Sequence, residues 1–253
     1  TYSGFEGTED ESVLGGTLAY YYTYTQYGNV GDYSITPKGL TSTNYDITFT
    51  SGKLTVSQKE IGLTWSPSPA TFTYDGTPKS PSATATGLVN SDEVSVTVTV
   101  AGEHTAVGNY TATASGLTGT KSGNYKLPAV TTQAFRIGKK TLTITANNHT
   151  ITYGDAPANN GVTYSGFEGT EDESVLGGTL AYDYTYTQYG NVGDYSITPK
   201  GLTSTNYDIT FTPGKLTVSQ KEIGLSWSPS PSTFTYDGTP KSPSATATGL
   251  VNS

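Results

Sequence analysis

One acidic cluster has residue types and spacing that could bind a metal ion. It consists of Glu168, Glu171, Asp172 and Glu173. Closely spaced carboxylates in a loop are ligands that Ca²⁺ prefers, so these four residues are candidate ligands for the cation. The segment lacks the Asp-x-Asp-x-Asp-Gly spacing of Ca²⁺ loops, and acidic residues are also common in the first turn of a short helix. We therefore favour a solvated loop or helix start, and we predict no cofactor.

A second set of residues could form a covalent crosslink. Some surface-fibre modules carry an amide bond that forms by itself between a lysine and an asparagine beside a buried acid. The candidate lysines are Lys59, Lys140 and Lys221, and the candidate asparagines are Asn44, Asn124 and Asn206. Asn-Tyr pairs are more simply interpreted as turns at the start of strands, and burying a lysine with an acid is unfavourable without the bond. The turn interpretation is therefore the favoured one.

Catalytic chemistry has little support in the sequence. His104 and His149 are the only histidines and there is no cysteine, so a zinc site lacks ligands. No Gly-x-Ser-x-Gly segment supports a serine nucleophile, and no glycine loop resembles a phosphate site. We predict that the chain is not an enzyme.

The elements that would position these residues are organised by a long repeat. Residues 163–253 repeat residues 1–91 at an offset of 162, and only four positions differ: Tyr21/Asp183, Ser51/Pro213, Thr64/Ser226 and Ala70/Ser232. A shorter, weaker repeat lies inside it, because the segments at 30–45 and 192–207 have a counterpart at 107–125. Fixed-period repetition is typical of arrays of small domains, and a spacer or multivalent surface gains from each copy.

The two periods predict four modules in the order A, B, A, B. The first A module comprises residues 1–58, the first B module 59–139, the second A module 140–220 and the second B module 221–253. Full modules of about 80 residues have a normal size for small domains. The first A and second B copies are partial, so we expect a window from a longer array. We also expect that strand edges near 1–12 and 242–253 are completed by neighbouring protein.

Composition predicts an all-β chain without one large core. The 253 residues include 30 Gly, 13 Pro and 20 Tyr, and apolar residues make up only 33%. Tyrosine favours strands, and glycine and proline separate strands with turns. We expect small β modules, β-grasp-like or Ig-like, strung end to end, with one short helix near Glu171–Leu176 in each A module. The net charge of −8 gives no basic surface for nucleic acid, and no apolar run is long enough to span a membrane.

Alternation and turn residues give two sharper expectations. Tyr21 in one copy is Asp183 in the other, and an unpaired Asp is unfavourable to bury. Side chains alternate along a strand, so Tyr20, Tyr22 and Tyr24 and their copies Tyr182, Tyr184 and Tyr186 should be buried. The Pro213-Gly214 pair suits a type II turn, which predicts a hairpin between its flanking strands.

Several segments of module A carry a family resemblance. They are 151–155 (ITYGD), 164–167 (YSGF), 171–180 (EDESVLGGTL), 193–197 (GDYSI) and 206–211 (NYDITF). Together they resemble the MBG repeats of YGX type, small β-rich modules found in tandem in large bacterial surface proteins. Residues 72–76 (FTYDG) stand in module B where 151–155 stand in module A, so module B resembles the same superfamily more loosely.

The resemblance implies an extracellular role at the cell surface or in a secreted filament, and it supplies no catalytic residues. The first hypothesis is a structural stalk or filament shaft whose partners are further copies of the repeat, in the same chain or in neighbouring protomers. The alternative is a multivalent adhesin module that binds a host or surface glycan or a protein. Repetition would multiply a weak affinity in that case, and Trp65 and Trp227 would be candidate sugar platforms.

Overall fold

The computed structural model describes residues 1–251, and within that range every regular element is a β-strand or a three-residue 3₁₀ turn. The prediction of an all-β chain is confirmed. The chain divides into two compact units. The first comprises residues 1–72, 78–104 and 109–136, and the second comprises residues 73–77, 105–108 and 137 onwards. The boundaries of the four modules stay predictions, and their names are used below for the sequence ranges alone.

The first unit contains three sheets. Strands β1 (Gly15–Tyr22), β2 (Gly31–Thr41) and β3 (Gly52–Val56) form an antiparallel sheet. Strand β4 (Lys59–Glu60) pairs in parallel with β10 (Tyr125–Lys126). A six-stranded sheet has the order β5-β7-β8-β9-β11-β6, and its strands are β5 (Gly62–Ser66), β6 (Thr71–Thr73), β7 (Ser82–Thr86), β8 (Ser95–Val100), β9 (Gly108–Thr118) and β11 (Thr132–Gly138).

The second unit is built around a three-stranded and a four-stranded sheet. Its strands are β12 (Lys140–Ala146), β13 (His149–Thr152), β14 (Val162–Ser165), β15 (Gly177–Tyr184), β16 (Gly193–Thr203), β17 (Tyr207–Thr212) and β18 (Gly214–Ser219). The sheet orders are β14-β12-β17 and β13-β18-β16-β15. A separate antiparallel pair consists of β19 (Gly224–Ser228) and β20 (Ser244–Thr248).

The core of the second unit follows from alternation along its strands. On β12, Leu142, Ile144 and Ala146 are buried, and the threonines between them are more exposed. Ala146 belongs to a cluster with Ile151, Tyr186, Ile197, Leu216 and Val218, which comes from five different segments. Side chains on alternate positions of a strand point to one face, so the apolar positions of these strands meet in one interior.

The predicted tyrosine alternation is found in the second A copy, although Tyr182 and Tyr184 are half-buried and only Tyr186 is buried. In the first copy Tyr24 is half-buried, and the prediction is wrong for Tyr20 and Tyr22. Tyr186 is 1% exposed, Tyr182 and Tyr184 pack against the core cluster, and Asp183 is exposed. In the first copy, however, Tyr20 and Tyr22 are 46% and 47% exposed. The difference has a physical cause, because Ala146 and Ile151 of that cluster lie on β12 and β13. Within residues 1–251, β3 of the first copy pairs with β2 alone, whereas the corresponding β18 pairs with both β16 and β13.

The predicted hairpin at Pro213-Gly214 is wrong. The strands that flank it lie in different sheets, since β17 pairs in parallel with β12 and β18 pairs with β16 and β13. Gly214 does not have the positive φ that a type II turn requires. A Cβ atom on Gly214 would lie 2.2 Å from the carbonyl oxygen of Ala146, so the glycine allows two backbones to approach closely.

The short helix predicted in each A module is a single 3₁₀ turn, at Glu11–Val13 and at Glu173–Val175. A third such turn, Ser122–Asn124, lies in the B module. No helix in residues 1–251 has the length and hydropathy to cross a membrane. The expected completion of strand edges near 1–12 and 242–253 stays a prediction, and residues 252 and 253 lie outside the described residues.

Candidate interaction site

Tyr207 is held at the start of β17 by a local turn. The backbone N–H groups of Asn206 and Tyr207 donate to Oγ of Ser204, at 3.2 Å and 3.1 Å. Serine side chains commonly fix a turn in this way. The turn directs the Tyr207 ring inwards, where it is 1% exposed and packs edge-on against Phe167 with ring centroids 5.5 Å apart. The interpretation of this Asn-Tyr pair as a turn at the start of a strand agrees with this geometry.

The buried hydroxyl of Tyr207 is satisfied on both sides. It accepts a hydrogen bond from the backbone N–H of Glu168 at 2.9 Å, and it donates to the carboxylate of Glu171. Burial, and then the hydrogen bond to Glu171, raise the pKa of Tyr207 to about 12. Both stabilise the protonated phenol, because a buried phenolate beside a carboxylate would be unfavourable.

The same tyrosine–carboxylate arrangement occurs three times within residues 1–251. Tyr45 accepts from the N–H of Glu6 and donates to Glu9. Tyr125 accepts from the N–H of Val89 at 3.1 Å and donates to Asp92 at 2.7 Å. In each case the acid follows the N–H donor by three residues, so the B module keeps the arrangement although Val89 replaces a glutamate. Sequence reasoning missed this pairing, and the only signal for it was an acid 33 or 36 residues before each Asn-Tyr tyrosine.

Glu171 also binds a second tyrosine, Tyr74, from the first B module. The Tyr74 hydroxyl donates to Oε1 of Glu171 at 2.6 Å, and its ring packs edge-on against the Tyr207 ring at 5.5 Å. Tyr74 is 6% exposed, and the hydrogen bond to Glu171 is the largest factor that raises its pKa. One carboxylate of the second A module therefore binds one phenol from its own module and one from the module before it.

A turn presents Tyr74 to this site. The Asp75 carboxylate accepts from the backbone N–H and from the hydroxyl of Thr77, at 2.9 Å and 2.6 Å. Gly76, between them, has φ of +73°, which glycine adopts without the steric cost that other residues meet. The Tyr74 loop, residues 73–77, is thus ordered by its own side chains.

The Asn-Tyr asparagines make the second recurring contact. Oδ1 of Asn206 accepts from the backbone N–H of Val107 at 3.2 Å, and Oδ1 of Asn124 accepts from the N–H of Val30 at 2.8 Å. Val107 and Val30 each precede a Gly-Asn-Tyr or Gly-Asp-Tyr segment of the preceding predicted module. One compact unit contains the Val30 contact, and the other contains the Val107 contact. The two residues of the Asn-Tyr pair therefore have different roles. The tyrosine makes hydrogen bonds within its own module, and the asparagine binds the preceding module.

Side chains around these asparagines extend both contacts. Near Asn206, Nζ of Lys139 donates to the carbonyl of Ser204 at 2.7 Å. Near Asn124, Nζ of Lys121 donates to Asn29 at 3.0 Å, and the Gln58 amide donates to the carbonyl of Gly123 at 3.0 Å. These contacts are hydrogen bonds that bury little apolar surface, so each adds little to the free energy of unfolding. Their main effect is to favour one alignment of the contacting segments.

The structure gives the candidate Ca²⁺ ligands protein partners. Glu168 pairs with Lys140, Glu171 binds the two tyrosines, and Asp172 caps the 3₁₀ turn by accepting from the N–H of Ser174 at 2.9 Å. The hydrogen bonds from Ser174 lower the pKa of Asp172. Glu173 begins the 3₁₀ turn itself. Within residues 1–251, no three acidic or histidine side chains are grouped as metal ligands.

The crosslink candidates lie in three different settings. Nζ of Lys140 is paired with Glu168, while its backbone N–H donates to the Asn206 carbonyl at 3.1 Å. Lys59 pairs with Tyr125 across the β4–β10 ladder, and Lys221 lines a shallow cavity with Tyr153 and Val192. Asn124 and Asn206 use their side chains at the valine contacts, and the N–H of Asn44 donates to Ser42 Oγ. The crosslink stays an untested alternative, which intact mass can decide because forming the amide bond releases one ammonia.

Comparison with known proteins agrees with this internal repetition. The model of the MBG domain (YGX type) matches three stretches of the chain, residues 1–55, 63–133 and 142–217. The chain belongs to the MBG domain family. The match over 63–133 lies within the B module, so the A and B modules are both MBG repeats despite the change from ITYGD to FTYDG. No curated protein matches the chain. The MBG family is a family of structural repeats and is not known as an enzyme family.

Proposed function

We propose that this tandem of MBG repeats is a structural segment of an extracellular stalk or filament shaft in a bacterial surface protein. The observation that carries the proposal is the recurring asparagine contact, in which Asn124 and Asn206 each bind the valine N–H of the preceding module. A contact repeated at successive junctions sets each module against its neighbour, as in arrays whose stability sums over neighbouring pairs.

The Tyr74 site supports the same role. Tyr74, Glu171 and Tyr207 join two successive repeats through a buried hydrogen bond and an edge-on ring contact. A flexible Gly/Ser linker would let the modules move independently, whereas a contact of this kind resists their separation. A shaft under tension needs modules that resist separation. Of the candidate sugar platforms, Trp227 is 52% exposed and Trp65 is half-buried, so exposure of the tryptophan does not recur in both copies and the glycan-binding role stays the alternative.

Small-angle scattering of the 253-residue chain tests the shaft role. A shaft predicts a radius of gyration well above the roughly 18 Å expected for a globule of this length. A value near 18 Å at low protein concentration would contradict the proposal. Protease treatment of intact cells that carry the full-length protein tests the location, since an extracellular shaft must release MBG fragments without lysis. A glycan array with the same chain is expected to show no competable binding.

A further inference from the structure

Two tyrosines of strand β15 lie side by side on one face of their sheet. Tyr182 and Tyr184 are two residues apart on the strand, so their side chains point to the same face. Their ring centroids are 6.4 Å apart, at an interplanar angle of 34°. The pair recurs in the first A copy, where the ring centroids of Tyr20 and Tyr22 are also 6.4 Å apart. Each A copy therefore holds two phenol rings next to each other.

Solvent reaches this pair of rings in two different surroundings. Tyr182 and Tyr184 remain half-buried beside the other strands of their own sheet, β13, β16 and β18. Tyr20 and Tyr22 are exposed, although their compact unit also contains most of the MBG repeat that follows them, residues 63–133. Neither the strands of the same repeat nor the repeat that follows it therefore encloses the pair.

The composition directs oxidation of this chain towards its aromatic rings. Cysteine and methionine are the side chains whose sulfur atoms are oxidised most readily, and the 253 residues include neither. They include 20 tyrosines and two tryptophans. A one-electron oxidant therefore meets phenol and indole groups without competition from sulfur.

We propose that Tyr182 and Tyr184 form a dityrosine crosslink when hydrogen peroxide acts on the chain through a haem peroxidase. Each phenol loses one electron and one proton, and the two phenoxyl radicals couple through ring carbons adjacent to the C–O carbons. The hydrogen on each coupled carbon then moves to the oxygen, which restores both hydroxyl groups. One C–C bond forms and two hydrogen atoms leave the chain. The peroxide takes up these two hydrogen atoms and becomes two molecules of water.

Proximity favours coupling within one chain over coupling between chains. Groups that are held beside each other react at effective concentrations far above those of separate molecules. An extended strand places residues i and i+2 about 6.6 Å apart, so the bond between the rings holds Tyr182 and Tyr184 near the spacing of a β-strand. Strand β15 lies at the edge of its sheet, where it pairs with β16 alone. The crosslink therefore restrains an edge strand, whether or not the chain forms a shaft.

The copy difference at position 183 makes the crosslink detectable. Asp183 lies between the two tyrosines, so a protease that cleaves before aspartate separates them into residues 172–182 and 183–193. The experiment treats the dilute 253-residue chain with hydrogen peroxide and a haem peroxidase, isolates monomeric chains on a denaturing gel, and digests them. We expect the two peptides to remain joined, with a mass two hydrogen atoms below the sum of their separate masses.

Phenylalanine variants identify the second phenol of the bond. Tyr182 is the only tyrosine of residues 172–182, whereas residues 183–193 contain Tyr184, Tyr186 and Tyr189. Phenylalanine keeps the ring but cannot form a phenoxyl radical, so Tyr184→Phe should lower the yield of the joined peptide by about tenfold or more. Tyr189→Phe is the matched control, because Tyr189 lies on the same peptide and is 41% exposed. It should leave the yield unchanged.

Three results would overturn the inference. The joined peptide would be absent from the oxidised unchanged chain, would persist at full yield in Tyr184→Phe, or would occur only in covalent dimers. The last result would show that the tyrosines couple between chains and not within one. None of these results affects the scattering test of the shaft role, which is made on the untreated chain.

Discussion

At the scale of single residues, the chain uses tyrosine hydroxyl groups that each accept one hydrogen bond and donate another, and the side chains of Tyr125 and Tyr207 are buried. Tyr207 accepts from one backbone N–H and donates to one carboxylate, and the same pair of bonds occurs at Tyr45 and Tyr125. A buried hydroxyl without partners is unfavourable by about 1–3 kcal/mol, so Asp92 and Glu171, which accept from buried tyrosines, are structural residues.

The raised tyrosine pKa predicts instability at alkaline pH. The pKa of Tyr207 rises from its ordinary value of 10 to about 12 in the folded chain. The folded state then holds a proton that the unfolded state releases, so this contribution to stability is complete below pH 10 and is lost as pH rises towards 12. Hydrogen exchange of the β17 amides across this range should show the loss.

Two phenylalanine variants make that measurement specific. Tyr207→Phe removes the titrating group and should flatten the alkaline loss of protection in β17. Tyr189→Phe is the control, because Tyr189 is 41% exposed and lies outside the regular strands. An equally steep alkaline loss in Tyr207→Phe and in the unchanged chain would contradict the assignment to Tyr207.

At the scale of elements, two glycines let strands β15 and β16 pair through a bulge. The register shifts between Gly178 and Ala181, and Gly178 faces Leu202 beside Gly201. A Cβ atom on Gly178 would lie 2.2 Å from the Gly201 carbonyl oxygen, and one on Gly201 would lie 2.3 Å from the Thr179 carbonyl oxygen. Both glycines have positive φ, at +81° and +88°. Backbone rather than side chain occupies the space, so it cannot move aside cheaply.

Alanine at Gly178 should therefore destabilise the second unit strongly. The variant combines an unfavourable φ with a backbone clash, and strained backbone positions alone cost about 1–3 kcal/mol. Gly169→Ala is a matched control, because Gly169 has φ of +54° and open space where the Cβ would stand. Urea unfolding should give a clearly larger loss for Gly178→Ala than for Gly169→Ala. Equal losses would show that the positive φ accounts for the whole loss in the free energy of unfolding and that the backbone clash adds nothing.

At the scale of the whole molecule, neighbouring repeats share residues. Glu171 binds Tyr207 of its own module and Tyr74 of the module before it, and Asn206 binds Val107 of that same preceding module. A repeat of this kind is stabilised by its neighbour, and its stability is not a property of its own residues alone.

A double-mutant cycle measures this sharing. Tyr74→Phe and Tyr207→Phe each remove one phenol from Glu171, and their effects on the free energy of unfolding should differ from additivity by about 0.5–3 kcal/mol. The pair Tyr74→Phe and Tyr189→Phe shares no hydrogen-bond partner and should add. If the effects on the free energy of unfolding are additive for both pairs, Tyr74 and Tyr207 are not coupled through Glu171.

The sequence by itself determined the repeat, the strand character and which tyrosines of the second A copy share one face of their strand. Each of these depends on local properties: identity at a fixed offset, strand propensity, and the alternation that places Tyr182, Tyr184 and Tyr186 on one face. The same alternation failed for Tyr20 and Tyr22, because parity shows which residues share a face and does not show whether another strand covers that face.

Only the tertiary structure decided which distant groups meet. Tyr74 and Glu171 are 97 residues apart, and Val107 and Asn206 are 99 apart, so no local pattern could predict their contact. The Pro213-Gly214 hairpin was wrong for a similar reason, since β12 pairs with one flanking strand, β17, and β16 pairs with the other, β18, in two different sheets. Local propensity fixes the strands, but pairing across a long separation depends on which edges and faces the rest of the chain leaves open.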